Sequence, residues 1–234
     1  MKASIIIPTY NRANLLGDAI LSLLRQTIDD IEIIIVDDGS TDNTRDVCSR
    51  FDDSRVKYIY QMNQGRSVAR NAGARIARSD VLGFLDSDDR YLPDGVEKHL
   101  LTLEDIKTGA SIAGYQIVSP DGGRIFEHMP WLGGAGLGLE DWLRDCYSMP
   151  GAMFVRTDWF EKIGGFKSYY EIAEDWGFFL ELALAGCRMQ WTKALVCEYR
   201  VHSENSIHFI DRHLAGATQV DRKSTRLNSS HRIR

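Results

Sequence analysis

Residues 83–94 read GFLDSDDRYLPD, and the fold can be read outward from this stretch. An apolar run from Val81 to Leu85 gives way at once to Asp86, Asp88 and Asp89, with Asp94 close behind. A short apolar run of this kind suits a buried strand. The carboxylates then mark the point where that strand leaves the core. Like charges crowded in this way repel and raise one another's proton affinity unless a cation compensates. A divalent ion is the economical explanation.

Upstream, strand and helix patterns alternate. Ala3–Ile7 is β-branched and stopped by Pro8, and Leu15, Leu16, Ala19, Ile20, Leu23 and Leu24 then recur at helical spacing. Ile31–Val36 is a second buried-type strand, closed by DDGSTDNT, whose residues favour turns and helix starts. A helix follows through Val47 to Phe51, then a strand at Val56–Tyr60 and a helix at Ser67–Ala77, before the Val81–Leu85 strand. Such alternation predicts an α/β fold with a Rossmann-like, mostly parallel central sheet flanked by helices. In an open sheet of this kind ligands bind outside the carboxyl ends of the strands. Three polar clusters fall at such ends: Pro8-Thr9-Tyr10-Asn11, Asp37-Asp38-Gly39-Ser40 and Asp86-Ser87-Asp88-Asp89. Parallel strands would open all three onto one rim.

After Val118 the texture changes. Six glycines between Gly122 and Gly138 predict a long mobile loop, one that could order as a lid when a ligand binds. Helices are expected at Leu139–Asp145, Thr157–Ile163 and Asp175–Ala185, and strands at Ala152–Val155 and Leu195–Val201. Residues 1–118 are thus expected to form a nucleotide-binding half, and residues 119–220 a half that completes the same sheet and supplies a second ligand surface. From Asp221 onward the hydrophobic periodicity is lost. DRKSTRLNSSH resembles the in-frame translation of a sequencing adapter, so residues 221–234 are read as a disordered tail and the natural sequence is expected to be represented only to about Val220.

Composition narrows the class. The 234 residues are 44% hydrophobic and 26% charged, as in a soluble globular protein, with a formal net charge of −5. That charge argues against nucleic acid or an anionic membrane surface as partner, since both require a basic face. Cys48, Cys146, Cys187 and Cys197 show no metal-site spacing and read as buried thiols of a reducing compartment. No stretch approaches the ~18 apolar residues of a membrane helix. The expected location is the cytoplasm, or the inner face of the membrane if a C-terminal part beyond Val220 makes a peripheral contact.

The motifs IIIPTYNR, IIIVDDGSTDNT, NQGRSVARNAG and FLDSDD, then GGF and AED, in that order, resemble the family 2 glycosyltransferases of the GT-A fold over about Lys2 to Ser206. The resemblance implies a metal-dependent, inverting enzyme. It would move a sugar from a nucleoside diphosphate, UDP above others, to a hydroxyl of a glycan or lipid-linked acceptor, with Mg²⁺ or Mn²⁺ as cofactor. Oxygen ligands suit either ion. By the same resemblance Pro8, Thr9 and Tyr10 line the nucleotide, with Asn11 nearby, and Asp38 or Asp37 accepts a hydrogen bond from the base. The Asn63-Gln64-Gly65 loop and the Arg70-Asn71 pair close over the donor, although an Arg fork suits a buried carboxylate as well as a phosphate. Asp88 binds the metal, Asp86 orients the donor's ribose or sugar beside it, and His202 contacts metal or diphosphate. Asp89 is either part of this cluster or a charge at the start of a helix near Pro93.

Glu174 and Asp175 open an apolar helix, where either could be a simple cap. The resemblance makes them the catalytic pair, with Asp175 as base. Trp159, Gly164, Gly165 and Phe166 match an acceptor-side turn. Two other classes fit the motifs less well. A non-catalytic sugar-nucleotide binder is disfavoured by the intact acidic motifs, and a sugar-phosphate nucleotidylyltransferase by PTYNRANLL, which lacks the glycines and lysine of its first loop.

Overall fold

A computed structural model describes residues 2–170 and 173–202. The 221–234 tail and the boundary at Val220 lie outside the described residues. In chain order the elements are β1 (Ala3–Thr9), α1 (Ala13–Leu24), β2 (Ile31–Asp37), α2 (Thr44–Cys48), β3 (Val56–Tyr60), α3 (Arg66–Ile76), β4 (Val81–Phe84), β5 (Arg90–Tyr91), α4 (Gly95–Thr102), β6 (Ala110–Val118), β7 (Arg124–His128), α5 (Leu139–Arg144), β8 (Met153–Arg156), α6 (Thr157–Ile163), α7 (Glu174–Leu184) and β9 (Met189–Arg200).

The apolar runs of β1 and β2 are buried at every position, as expected of strands covered by helices on both faces. They pair in parallel with each other, β1 with β4 and β2 with β3. On one side α1 buries Leu16, Ala19, Ile20 and Leu23, one helical stripe, among Ile5, Ile7, Ile33 and Ile35. On the other side Ile6, Ile34 and Val36 join Ala69 and Ala72 of α3 and an aromatic cluster of Phe84, Phe160, Phe166 and Phe178. Gly73 lets α3 sit directly on β1, because a Cβ there would stand 2.5 Å from Ile6 Cγ2.

The described strands form one sheet in the order β3-β2-β1-β4-β8-β6-β9-β5, with β7 added beside β6. The first four run parallel. Beyond β4 the sheet is mixed: β8 is antiparallel to β4 and β6, β9 is parallel to β6, and β5 is antiparallel to β9. The strands of the second half therefore extend the same layer. Among the described residues no helix is long and apolar enough to cross a membrane.

The pattern in the sequence differs from the structure in four places. The glycine-rich span is not a free loop, because Arg124–His128 pairs antiparallel with β6 and Pro130–Gly133 forms a 3₁₀ turn. β7 is half-exposed and solvated, so it carries no buried run to reveal it. β6 itself, ASIAGYQIV, is rich in small residues and takes its burial from neighbours distant in sequence. β9 starts six residues before the expected strand; its pairing with β6 shifts register around Gly114, which breaks any strict alternation. The expected Val47–Phe51 helix ends at Cys48, and Phe51 N–H instead closes a turn on Cys48 O at 3.1 Å.

The contact between α3 and β1 makes a direct prediction. Gly73→Ala should lower unfolding stability by about 1–3 kcal/mol in urea titration through overpacking against Ile6.

Candidate functional site

The carboxyl ends of β1, β2 and β4 meet at one rim. Thr9 stands opposite Asp37 in the β1–β2 register, and Leu85 N–H bonds Ile6 O at 3.0 Å, which carries the β4 strand onto the same edge. A hollow of about 230 Å³ opens there, lined by Pro8, Thr9, Tyr10, Arg12, Asp38, Arg66, Asp86, Ser87, Asp88 and Tyr199. Six of the residues singled out from the sequence thus share one cavity: Pro8, Thr9, Tyr10, Asp38, Asp86 and Asp88.

The two candidate carboxylates of β2 separate. Asp37 is spent within the protein, where its Oδ1 accepts from Ser40 N–H at 2.8 Å and its Oδ2 from the Tyr58 hydroxyl at 2.7 Å. Asp38 lines the hollow and organises the loop beside it. Its Oδ1 accepts from Gln61 Nε2 at 2.6 Å and Gln64 N–H at 3.0 Å, and its Oδ2 from Gly65 N–H at 2.8 Å. Gly39 makes this packing possible: at φ 87° its Cα lies where a Cβ would meet Asn63 N at 2.8 Å. Asn11 lies outside the lining. It holds φ 52°, tolerable for Asn, while its Oδ1 accepts from Thr41 N–H at 2.8 Å.

Arg70 is not a surface closure over the hollow. It is fully buried, with Nη2 on Asp86 Oδ1 at 2.5 Å and Nη1 on Glu174 Oε1 at 3.0 Å. Its guanidinium also stands 5.1 Å over the Phe166 ring, which stacks on Phe178 at 4.3 Å. Burial alone would make that cation easier to deprotonate, but the two carboxylates outweigh it and raise its proton affinity. Asn71 likewise turns away from the cavity. Its amide takes both the N–H and the C=O of Phe166, at 2.9 and 2.8 Å, and so fixes the Gly164-Gly165-Phe166 turn to α3. Trp159 packs under Lys162, 3.9 Å from its ring, and is not among the residues lining the hollow.

The second half closes the rim. Arg200 at the end of β9 anchors the acidic turn: its N–H donates to Asp89 Oδ1 at 3.0 Å, its Nε to Asp88 O, and its Nη1 to Asp18 Oδ2 at 2.7 Å. Asp89 is therefore no helix-start charge. It is buried, and burial first, then Asp88 and Asp86, raise its proton affinity well above the usual carboxylate range. His202 follows, with Nε2 3.0 Å from Asp88 Oδ2. Tyr199 joins the lining.

Among the described residues no three His, Cys, Asp or Glu side chains converge as a ready-made metal cage. The donor set nonetheless fits a hard divalent ion. Mg²⁺ and Mn²⁺ are commonly held by one or two carboxylates while substrate phosphates complete the shell. Asp86 and Asp88 line the open hollow, and the His202 imidazole is already beside Asp88.

Glu174 and Asp175 divide their work. Glu174 is buried, and its Oε1 is shared by Arg70 and, at 2.7 Å, by Arg66 Nε. Asp175 is partly exposed, with Oδ1 accepting from Trp176 N–H at 2.8 Å. Neither lines the hollow itself. Burial, and secondarily the Glu174 charge, push the Asp175 carboxyl up to about 7. The chain Asp86–Arg70–Glu174–Arg66 thus connects the acidic turn to the head of α7. Arg12, Arg66, Ser87 and Tyr199 also line the hollow, and the motif resemblance gives them no role. Arg12 and Arg66 do lie inside the quoted motifs, and a cation beside an acidic rim was the available signal.

Three comparisons bear on this geometry. A protein-family model described as glycosyl transferase family 2 matches residues 4–164. Chondroitin synthase of Pasteurella multocida is 34% identical over 207 residues, covering 87% of this chain and 21% of that protein. The chain spans between about a fifth and about half of the length of the curated relatives it matches first. Among solved structures, the mannosyltransferase PcManGT of Pyrobaculum calidifontis, in complex with GDP-Man and Mn²⁺, has a TM-score of 0.76 at 18% identity and covers 96% of this chain and 64% of that one. TarS 1–349 of S. aureus, in complex with UDP-GlcNAc, has a TM-score of 0.73 at 19% identity, with 89% and 61% coverage. These likenesses identify the fold as GT-A.

The buried fork yields a stability prediction. Arg70→Met removes the buried cation that Asp86 and Glu174 share, leaves Glu174 to Arg66 alone, and should cost about 3–5 kcal/mol in urea unfolding. Arg70→Lys should fall between this variant and the parent, because one ammonium cannot span both carboxylates.

Proposed function

The chain belongs to glycosyl transferase family 2, and we propose that it transfers a sugar from a nucleoside diphosphate donor, UDP-linked, to a hydroxyl of a glycan or lipid-linked acceptor, with inversion at the anomeric carbon. The observation that carries this reading is the single hollow that joins Asp38, Asp86 and Asp88 and is tied through Arg66 and Arg70 to the Glu174–Asp175 pair. The complexes of PcManGT with GDP-Man and of TarS with UDP-GlcNAc support a nucleotide sugar as the donor class. The match to chondroitin synthase supports polysaccharide synthesis as the setting. In this reading residues 1–118 hold the donor and residues 119–220 receive the acceptor, in the cytoplasm or at the inner face of the membrane.

Pro8, Thr9 and the half-exposed Tyr10 offer the nucleotide a surface at the end of β1. Asp38 accepts from the base; its oxygens already take three hydrogen bonds, and a carboxylate has room for more. Asp86, fixed by Arg70, orients the donor's ribose or sugar. Asp88 and His202, with Asp86 beside them, would hold Mg²⁺ or Mn²⁺, which when bound neutralises the diphosphate as the leaving group departs. Asp175 takes the proton of the acceptor hydroxyl. Its raised proton affinity suits that task, since a general base works best when matched to the ambient pH. The sugar passes in one in-line displacement and no covalent sugar–protein bond forms.

Asp175→Asn should reduce transfer by at least about 10²-fold while nucleotide binding, measured by calorimetry, is retained. In the parent protein, kcat/KM should rise with pH through about 7 as this carboxyl ionises and fall away below it. Wild-type turnover in the Asn variant refutes the assignment. Asp88→Ala should weaken Mn²⁺-dependent binding of UDP-GlcNAc by roughly tenfold or more, the loss of one charged ligand. Unchanged Mn²⁺ dependence removes Asp88 from the metal site.

A further inference from the structure

Arg66 stands where two chemistries meet. It is the first residue of α3, and Gly65 before it turns at φ 88°, so its side chain leaves the helix at the rim. Arg66 lines the hollow with Asp38, Asp86 and Asp88, and its side chain keeps 39% of its surface exposed. Its Nε is at the same time 2.7 Å from Glu174 Oε1. Glu174 does not depend on it alone: Arg70 Nη1 reaches the same oxygen at 3.0 Å from the buried side. Glu174 is therefore held by one fixed, buried cation and one cation with access to the cavity. Arg66 can be drawn away without leaving the carboxylate unpaired. A guanidinium offers a planar fork that matches phosphate oxygens as well as carboxylate oxygens, so an anion entering the hollow competes with Glu174 for it.

The charge on Arg66 is also felt next door. Asp175 is surrounded by Glu174 on its own helix, by Arg66 and Arg70 from α3, by Tyr115 of β6 and by Cys146 after α5. Burial and Glu174 favour its protonated form, whereas Arg66 and Arg70 favour the ionised one. Removing Arg66 from this circle leaves the negative charge of Glu174 less compensated.

We propose that Arg66 is a donor-binding residue shared between Glu174 and the donor's diphosphate, so that an arriving sugar nucleotide draws positive charge off the Glu174–Asp175 pair and strengthens the base as the donor docks. The proposal rests on the transferase reading above and adds to it a coupling between the two substrate sites. With the donor absent, Arg66 keeps Asp175 more easily ionised and a weaker base. With the diphosphate in place, the carboxylate holds a proton more firmly and so accepts one from a hydroxyl more readily. By linkage, donor binding near neutral pH is accompanied by partial proton uptake at Asp175, and the fraction that stays ionised is the stronger base that takes the hydroxyl proton.

Calorimetry tests this without requiring turnover. UDP-GlcNAc and, separately, GDP-Man are titrated into Mn²⁺-saturated protein at pH 7.5, in buffers of differing ionisation enthalpy. Neither diphosphate diester gains or loses a proton there. A tenfold rise in proton affinity centred on that pH corresponds to uptake of about half a proton. The expected result is uptake in the parent protein, its disappearance in Asp175→Asn with affinity retained, and its disappearance in Arg66→Gln with affinity reduced at least about tenfold. Arg66→Lys, which keeps the charge and Glu174's second partner, should recover part of the affinity. Thermal unfolding of each variant verifies the fold. Parent-like affinity in Arg66→Gln, or uptake that persists in either Arg66→Gln or Asp175→Asn, overturns the inference while leaving the donor site intact. If neither sugar nucleotide binds to the folded parent protein, the donor reading itself fails and this inference falls with it.

Discussion

The Arg70 guanidinium is the constraint on which the rest of the site depends. It is a buried cation in a region of apolar strands and stacked phenylalanines, a position that is tolerable only because Asp86 and Glu174 both face it. Each carboxylate lies at the head of a different element, one after β4 and one at the start of α7, more than eighty residues apart in the chain. A single residue of α3 thereby fixes the distance between the acidic turn and the head of α7. The Phe166 ring under the guanidinium and the Asn71 clamp on the Phe166 backbone extend the same tie to the glycine turn before α7.

A second tie closes the rim from the far edge of the sheet. β9 runs beside β6 and reaches Arg200, whose side chain and backbone hold Asp88, Asp89, Asp18 and Leu15 together. The acidic turn is thus gripped from both sides, by Arg70 beneath Asp86 and by Arg200 behind Asp88 and Asp89. That arrangement permits three aspartates within four residues. One is neutralised by a buried fork and one is buried against a backbone N–H. Asp88 faces the cavity with the adjacent His202, beside the Asp86 that Arg70 holds. Crowded charge, which in the sequence pointed only to a cation, is in the structure largely answered by arginines.

Much of this is legible in the sequence. The β-branched runs of β1, β2 and β4 and the helical stripe of α1 fall where their periodicity puts them, because elements buried on one stripe or two faces must carry that period themselves. β6, β7 and β9 were hard to read for the converse reason. Their residues are small, solvated or out of register, and their placement comes from partners distant in the chain. In the site, Pro8, Thr9, Tyr10, Asp86 and Asp88 were recognisable because strand ends in a parallel sheet share a rim. Which of Asp37 and Asp38 faces the cavity was not, since adjacent side chains point to opposite sides and only the strand's last paired residue decides between them.

The sequence by itself determined that a parallel α/β half would gather carboxylates at one edge, and that its motifs are those of a glycosyltransferase family. Pattern suffices there because strand direction and strand ends are local properties. Only the tertiary structure decided that Arg70 and Asn71 serve the interior rather than the ligand, and that Arg66 stands between the cavity and Glu174. Whether an arginine meets solvent, a phosphate or a buried carboxylate depends on what the rest of the chain brings against it, and spacing along the chain carries no record of that.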